Sequence, residues 1–303
     1  MIGLAGTVVG LFMLVYGSNL LVDGAAGLAA KRGINPHIIG MTLVATATSL
    51  PELATSVTAT IAGEHGIAVG NVVGSNAFNV GIVLAAGALF LHVVPNRLVL
   101  RDGWILIIST VIFSYMALFG ITRLDALLLL VLYTAYTVQL FKVSKETMEL
   151  RVQERPYSVL LLLLFIGTLL LVVGAPVIVG SATRLADAIG IRSSIIGLSL
   201  IAFGTSLPEL ITTITAALKK QQGIAVGNVF GSNLFNILLI PGIAGLIHPL
   251  GISRYMSGSV VPAMLLVTLL GVVLTRKRMD RFGSALLILS YAAFFFLIFA
   301  EGF

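Results

Sequence analysis

The sequence contains no cysteine, a single tryptophan and few charged residues: Asp, Glu, Lys and Arg make up 10% of its 303 residues. Without cysteine there is no disulfide, no thiolate metal site and no thiol catalysis. A soluble domain carries about 25% charged residues, so this chain has too few to cover a globular surface. That scarcity excludes an ordinary cytosolic enzyme, a disordered protein and a nucleic-acid-binding module.

Apolar residues are abundant instead. They make up 58% of the chain, and the mean hydropathy is +1.10. A helix needs about 20 consecutive apolar residues to span a bilayer. The apolar runs therefore predict an all-α integral membrane protein with ten transmembrane helices. These segments cover residues 3–30, 36–62, 66–91, 103–120, 124–141, 157–183, 193–218, 223–247, 256–275 and 282–300.

The distribution of Lys and Arg predicts the orientation of these spans. When the loops are assigned alternately to the two sides, one side receives 14 of the 18 basic residues. The other side receives only Arg123, Arg184, Arg192 and Arg254. Basic residues concentrate in cytoplasmic loops. We therefore expect a multi-pass protein of the cell membrane, with both termini outside and the charged loop 142–156 in the cytoplasm.

The chain also contains an internal duplication. A shift of 157 residues aligns residues 38–79 with residues 195–236 without a gap, and 26 of the 42 positions are identical. The duplication predicts a first five-helix repeat (1–141), a linker (142–156) and a second five-helix repeat (157–303). Because five is odd, the second repeat is expected to cross the membrane in the opposite direction. Inverted repeats are typical of secondary transporters whose site lies at the repeat interface near the bilayer midplane.

Two glutamates occupy equivalent positions in the middle of predicted spans. Glu52 and Glu209 each belong to a TSLPEL motif. A carboxylate at the centre of a membrane helix costs at least ~2.5 kcal/mol, so such residues are functional candidates. The alternative is a protonated glutamate that only joins two helices by a hydrogen bond. Its duplication within identical polar motifs favours the functional interpretation.

A proline precedes each glutamate and predicts a broken helix. Proline lacks an N–H and its ring clashes with the preceding turn, so carbonyls at Ala45–Ala47 and Ala202–Gly204 are expected to lose their backbone partners. Irregular backbone at membrane depth is tolerated where it is buried or lines a wet cavity. Four hydroxyls flank the breaks, namely Thr48, Ser49, Thr205 and Ser206. The alternative for any one of them is a hydrogen bond to its own preceding turn.

A second repeated motif reads GIAVGNVVGSNAFN at residues 66–79 and GIAVGNVFGSNLFN at residues 223–236, with Gly-Asn-x-x-Gly-Ser-Asn at its centre. Its glycines recur every four residues at 66, 70 and 74 and again at 223, 227 and 231. That spacing predicts flat helix faces that pack closely. Close packing should bring the polar residues of the motif against the broken helices. They are Asn71, Ser75, Asn76 and Asn79 in one half and Asn228, Ser232, Asn233 and Asn236 in the other.

The predicted ligands are all hard oxygen atoms: carboxylates, hydroxyls, amide oxygens and carbonyls. None of the four histidines lies in either motif. Such ligands suit Ca²⁺ or Na⁺ and disfavour Zn²⁺ or Cu⁺. Two glutamates supply a charge of −2, which one Ca²⁺ or two Na⁺ would neutralise. The set is thus suited to exchanging a divalent ion for monovalent ones, and no resident cofactor is expected.

With these motifs, the sequence resembles the calcium/cation antiporter superfamily, specifically its sodium/calcium exchanger type, over essentially its whole length. The resemblance implies that Glu52 and Glu209 are shared ion ligands and that Na⁺ enters as Ca²⁺ leaves, commonly three for one. It also implies that the first and sixth spans slide as a pair across a rigid core. The further ligands that it implies are Thr48, Ser49, Thr205 and Ser206, the carbonyls of Ala45 and Ala202, and the side chains of Asn79, Ser75 and Ser232.

Two positions depart from the family pattern. Asn236 stands where K⁺-dependent and some prokaryotic members have Asp, which lowers the expected site charge and argues against a K⁺ requirement. Ala47 stands where the second motif has Gly204 and the family usually has glycine.

The nearest alternative function is H⁺/Ca²⁺ antiport, in which the two glutamates exchange protons for the metal. The paired hydroxyls favour Na⁺. A cation channel is disfavoured by the inverted repeat, and a membrane enzyme by the absence of a His-Glu-x-x-His motif. The expected partners are Ca²⁺, Na⁺ and the lipid bilayer, with the chain working as a monomer.

Overall fold

The computed structural model describes residues 2–91, 94–143, 155–188, 203–277 and 279–300. These residues are helical, apart from connecting turns and isolated bridge residues, which include an antiparallel pair between Ile121 and Leu250. We number the described helices in chain order. They are α1 (Ile2–Arg32), α2 (Pro36–Thr48), α3 (Leu50–Ile61), α4 (His65–Phe90), α5 (Arg97–Ala117), α6 (Arg123–Val143), α7 (Tyr157–Ala188), α8 (Leu207–Leu218), α9 (Gln222–Ile247), α10 (Met256–Thr275) and α11 (Arg281–Ala300).

Eight of these helices are long and apolar enough to cross a membrane. A ninth span is formed if α2 and α3, which meet at an angle of 48°, count as one broken segment. The protein is therefore a multi-pass membrane protein whose described elements are helices. The predicted seventh span, 193–218, begins in residues 189–202, outside the described part; its second half is α8. Most of the predicted linker 142–156 also lies outside the described residues.

The predicted start of the fourth span is wrong, and the correct start places a charged residue in the protein interior. The fourth span was expected to begin at residue 103, with Asp102 in a loop, but α5 begins at Arg97. The cause is Asn96, whose side-chain oxygen accepts the N–H of Val99 at 2.9 Å and caps the helix. Asp102 is consequently buried, with its carboxylate 2.9 Å from His37 Nε2 and 2.7 Å from the Arg101 guanidinium.

Helices α1 and α7 pack against each other along most of their length. A Cβ atom at Gly10 would lie 3.1 Å from the carbonyl oxygen of Gly174, and one at Gly17 would lie 3.0 Å from that of Gly167. Positions later in α1 thus contact positions earlier in α7, so the two helices run antiparallel. Both expose much of their surface, whereas α4 and α9 are buried along most of their length and form the centre of the molecule.

The glycine face of α9 packs on α2 as the sequence predicted. A Cβ atom at Gly227 would lie 2.5 Å from the carbonyl oxygen of His37, and one at Gly231 would lie 2.5 Å from that of Met41. Only glycine permits this approach of two backbones. In the 157-residue alignment, the counterpart of this contact would join α4 to residues 193–202, which lie outside the described part. The close contact of α2 with α9 brings the first broken helix to the second polar motif.

Candidate functional site

The two helix breaks have nearly identical backbone geometry. Ser49 ends α2 and precedes α3 with φ −88° and ψ 7°, and Ser206 precedes α8 with φ −88° and ψ 6°. A proline follows within the first two positions of α3 and α8, where its missing N–H costs no hydrogen bond. Glu52 and Glu209 therefore lie in the first turn of a helix rather than in its middle. Both are completely buried.

The expectation that the Ala45 carbonyl loses its backbone partner is wrong. It accepts the N–H of Ser49 at 3.0 Å and also the hydroxyl of Thr48 at 3.2 Å. The helix stays hydrogen-bonded up to the break, because proline removes only its own N–H, which belongs two residues beyond Ser49. Ala202, the predicted equivalent in the second half, lies outside the described residues.

Each glutamate is held by a serine from the opposite half of the chain. The hydroxyl of Ser49 donates to Oε1 of Glu209 at 2.8 Å, and the hydroxyl of Ser206 donates to Oε1 of Glu52 at 3.0 Å. The second oxygen of each carboxylate, Oε2, is buried and has no hydrogen-bond partner among the described residues. Two carboxylates are thus brought together with one oxygen each still available to a ligand.

Two asparagines that were not predicted as site residues support both glutamates. The side-chain amide of Asn71 donates to the carbonyl oxygen of Glu52 at 3.1 Å, and that of Asn228 donates to the carbonyl oxygen of Glu209 at 3.3 Å. Their side-chain oxygens accept hydroxyl groups from the other half: Thr48 donates to Asn228 at 3.0 Å and Thr205 donates to Asn71 at 3.3 Å. The Gly-Asn pair repeated in the second motif was the sequence signal for this role.

The remaining predicted residues lie on α4 and α9, and all four are buried. Asn236 donates its side-chain amide to the hydroxyl of Ser75 at 3.1 Å, and Ser232 Oγ lies 3.4 Å from Thr48 Oγ1. Within the part of the chain that is described, neither polar atom of the Asn79 side chain has a partner, nor does Oδ1 of Asn236. Both asparagines lie in π-helical segments, Asn79–Leu84 and Phe235–Leu239, and such segments are frequent at functional sites.

The Ala47–Gly204 difference between the halves has a packing explanation. A Cβ atom at Gly204 would overlap with the side chain of Val179 on α7. Ala47 is instead accommodated in the apolar cluster that contains Leu21 and Val22 of α1. The methyl group therefore fits beside α1 but not beside α7.

This arrangement has the chemistry of a site for hard cations. Unpartnered carboxylate and amide oxygens are buried beside hydroxyl groups, and a buried polar oxygen without a partner is costly unless a ligand satisfies it. No thiolate ligand is available, since the chain has no cysteine. A cation would offset both the carboxylate charge and the unmade hydrogen bonds.

Comparisons with known proteins agree with this chemistry. The model of the sodium/calcium exchanger protein family matches residues 2–142 and 159–300. The sodium/calcium exchanger MaX1 of Methanosarcina acetivorans is 32% identical, over 96% of each chain. The inner membrane protein YrbG of Escherichia coli is 33% identical, over 95% of this chain and 93% of its own.

The structure is also similar to solved ones. The sodium-calcium exchanger NCX_Mj, soaked with 2.5 mM Na⁺ and 0.1 mM Ca²⁺, superimposes with a TM-score of 0.87 and 28% sequence identity, over 97% of each chain. The match of the family model across nearly the whole sequence, together with these relatives, shows that the chain belongs to the sodium/calcium exchanger family.

Proposed function

We propose that this protein is a secondary antiporter that exchanges Na⁺ for Ca²⁺ by alternating access, with Glu52 and Glu209 as the shared ligands of the transported ions. The observation that carries the proposal is the reciprocal pair of buried hydrogen bonds from Ser49 to Glu209 and from Ser206 to Glu52. It joins two carboxylates from the two halves of the chain in one oxygen-lined site. The family membership supports a cation/Ca²⁺ exchanger.

The remaining predicted site residues complete the proposed ligand set. Thr48, Ser49, Thr205 and Ser206 would bind Na⁺ on either side of the glutamates, together with the carbonyls of Ala45 and Ala202. The Ala45 oxygen already accepts two hydrogen bonds, so binding an ion there requires the Thr48 hydroxyl to rotate away. Ser75, Asn79, Ser232 and Asn236 would line the same cavity from α4 and α9.

The fold proposed for this activity is a pair of inverted five-helix repeats with ten spans. Contacts between the halves are reciprocal: Gly10 approaches Gly174 and Gly17 approaches Gly167, and in the 157-residue alignment Gly167 and Gly174 are the equivalents of Gly10 and Gly17. The hydrogen bonds of the two glutamates are reciprocal in the same way, since Ser49 bonds Glu209 and Ser206 bonds Glu52. Reciprocal contacts are those of a two-fold axis, and the antiparallel course of α1 and α7 supports an axis in the membrane plane.

Charge balance supports exchange of one Ca²⁺ for more than one Na⁺. One Ca²⁺ or two Na⁺ neutralise two buried carboxylates, and leaving either carboxylate uncompensated is costly. A third Na⁺ held by hydroxyl, amide and carbonyl oxygens would give the three-for-one ratio and move one net charge in each cycle. The hydroxyls bonded to both carboxylates favour Na⁺ over H⁺ as the coupling ion, because proton transfer needs no oxygen cage.

We also propose a topology and an oligomeric state. Both termini would lie outside the cell membrane and residues 142–156 in the cytoplasm, as the 14 basic residues on one side indicate. The chain would work as a monomer, since one chain supplies both glutamates and both serines of the site.

The test is Ca²⁺ uptake by purified protein in liposomes, driven separately by a Na⁺ gradient and by a pH gradient. Uptake driven only by Na⁺, and accelerated by a K⁺/valinomycin potential of the sign that moves the net charge, is the expected result. A voltage-independent rate and end-point would indicate two-for-one exchange. Uptake driven by the pH gradient and indifferent to Na⁺ would overturn the assignment in favour of H⁺/Ca²⁺ antiport, and leakage without any coupling would indicate a channel.

A further inference from the structure

One ion pair links α1 to α8 away from the proposed ion site. The Lys219 ammonium lies 2.7 Å from Oδ1 of Asp23 and also donates to the carbonyl oxygen of Asn19 at 3.2 Å. A second polar contact joins the same two helices, with Ser18 Oγ 2.8 Å from Thr215 Oγ1 in a buried position. These polar contacts hold the end of α8 opposite Glu209 against α1.

The internal duplication has no counterpart of this ion pair. In the 157-residue alignment, Asp23 corresponds to Gly180 and Lys219 corresponds to Ala62. Neither glycine nor alanine carries a charge or a side-chain hydrogen bond. The glutamate–serine bonds of the site, in contrast, exist in both copies. The ion pair is therefore a polar difference between two otherwise similar halves.

Helix packing also differs between the two halves, and the larger contact is again the one between α1 and α8. Helix α1 packs along α8, whereas α7 touches the equivalent helix α3 at only a few positions. The buried Ser18–Thr215 contact likewise has no equivalent, because Ala175 stands at the position that corresponds to Ser18. The structure is thus closed where α1 meets α8 and more open where α7 meets α3.

We propose that Asp23 and Lys219 form an ion-pair latch that favours the conformation with α1 closed on α8 over the alternate conformation with α7 closed on α3. The inference rests on the proposed alternating access between inverted halves. In such a transporter, contacts present in both halves are exchanged between the two conformations and largely cancel. A contact present in only one half biases the equilibrium, because it is made in one conformation and broken in the other.

The position of the latch determines which entrance it closes. Lys219 lies at the end that the basic residues assign to the cytoplasm, so the latch closes the cytoplasmic entrance. Its two side chains are 30% and 44% exposed, and exposed ion pairs contribute modestly. Breaking it should change the ratio of the two conformations by about two- to fivefold. The apparent ion affinity follows the fraction of molecules in the binding-competent conformation.

The absence of cysteine makes a direct measurement possible. Ala30→Cys on α1 and Leu218→Cys on α8 give the chain its only two cysteines, one on each of the two helices that the ion pair joins. Spin labels on these cysteines report the α1–α8 distance in the purified protein by electron double resonance, without any transport assay. The variants to compare are Asp23→Asn, Lys219→Met and the charge exchange Asp23→Lys/Lys219→Asp. Lys220→Met is the matched control, because Lys220 has no ion pair among the described residues.

Asp23→Asn and Lys219→Met should each increase the population at longer distance by two- to fivefold, the charge exchange should restore the parent distribution, and Lys220→Met should leave it unchanged. Identical distributions in the parent and both single variants, or failure of the charge exchange to restore the short distance, overturn the latch. Na⁺-driven Ca²⁺ uptake is measured on the same proteins. Loss of uptake in the parent would reject the proposed function without affecting the distance result.

Discussion

Replacing Glu209 by glutamine should remove half the charge of the site without changing its shape. Oε1 of Glu209 accepts the Ser49 hydroxyl at 2.8 Å, and a glutamine oxygen can accept the same hydrogen bond. The other carboxylate oxygen is buried without a partner in the described structure, so the amide group that replaces it breaks no existing hydrogen bond. The variant should therefore fold like the parent.

The size of the effect follows from the charge that is lost. At an effective dielectric constant of about 20, two unit charges about 4 Å apart attract by about 4 kcal/mol, and a doubly charged ion doubles that figure. The remaining amide dipole and entering water offset part of this loss. We expect at least about 2.7 kcal/mol to be lost, which corresponds to a Ca²⁺ affinity reduced by about 100-fold or more.

The assay is calorimetric Ca²⁺ binding to purified Glu209→Gln, together with Na⁺-driven Ca²⁺ uptake in liposomes. Glu52→Gln should behave similarly, since Ser206 bonds Glu52 as Ser49 bonds Glu209. Glu64→Gln, an exposed carboxylate before α4, is the matched control and should retain uptake. A well-folded Glu209→Gln protein that binds Ca²⁺ within threefold of the parent would refute the reasoning. A protein that fails to fold would favour a purely structural glutamate.

Three further predictions test the surroundings of the glutamates. Ser49→Ala should raise the Na⁺ concentration needed for half-maximal exchange by about tenfold, because it removes a proposed Na⁺ ligand and a polar contact to a charged group is worth about 1.5–3 kcal/mol. An unchanged Na⁺ dependence would contradict its role. Gly227→Ala should lower the free energy of unfolding by about 1–3 kcal/mol through overpacking against α2. The control is Gly180→Ala, which should leave the free energy of unfolding unchanged because its Cβ meets no described atom within 4 Å. Equal shifts of the melting temperature in the two variants would contradict the close packing of α9 on α2. Asn236→Asp adds a buried carboxylate that must bind a cation or a proton, so Ca²⁺ binding should be tighter than in the parent at pH 9 and fall more steeply towards pH 6; a folded variant with the parent's profile would remove Asn236 from the site.

The break in the second helix could be read from the motif, but the interactions that hold the glutamates could not. Ser49 lies three residues before Glu52 in the sequence, yet its hydroxyl bonds Glu209, which is 160 residues away. The spacing of residues along one helix indicates which face they share, whereas the partner across the interface depends on how two helices cross. For the same reason Asn71 and Asn228 were recognised as polar residues near the breaks but not as the supports of both glutamates.

Backbone hydrogen bonds near a helix end also depend on local geometry, which the hydropathy of the sequence does not predict. Pro51 correctly predicted a helix break beside Glu52. The prediction that the Ala45 carbonyl has no backbone partner was wrong, because this carbonyl accepts hydrogen bonds from Ser49 and Thr48. Asp102 was assigned to a loop because a charge ends an apolar run, yet the Asn96 cap starts α5 earlier and buries Asp102 beside His37. A side chain that caps a helix moves its boundary without altering hydropathy.

The sequence by itself determined that the chain spans a membrane with helices, that its two halves are duplicates, and that each half contributes a glutamate and paired hydroxyls of one chemical type. Those properties depend on the types of residue and their spacing, and both can be read from the sequence. Only the tertiary structure decided that each serine bonds the glutamate of the opposite half and that Asp23 of α1 forms an ion pair with Lys219 at the end of α8. Pairings across the interface depend on the approach of distant helices, and the glycine faces that permit this approach do not specify which polar groups will meet.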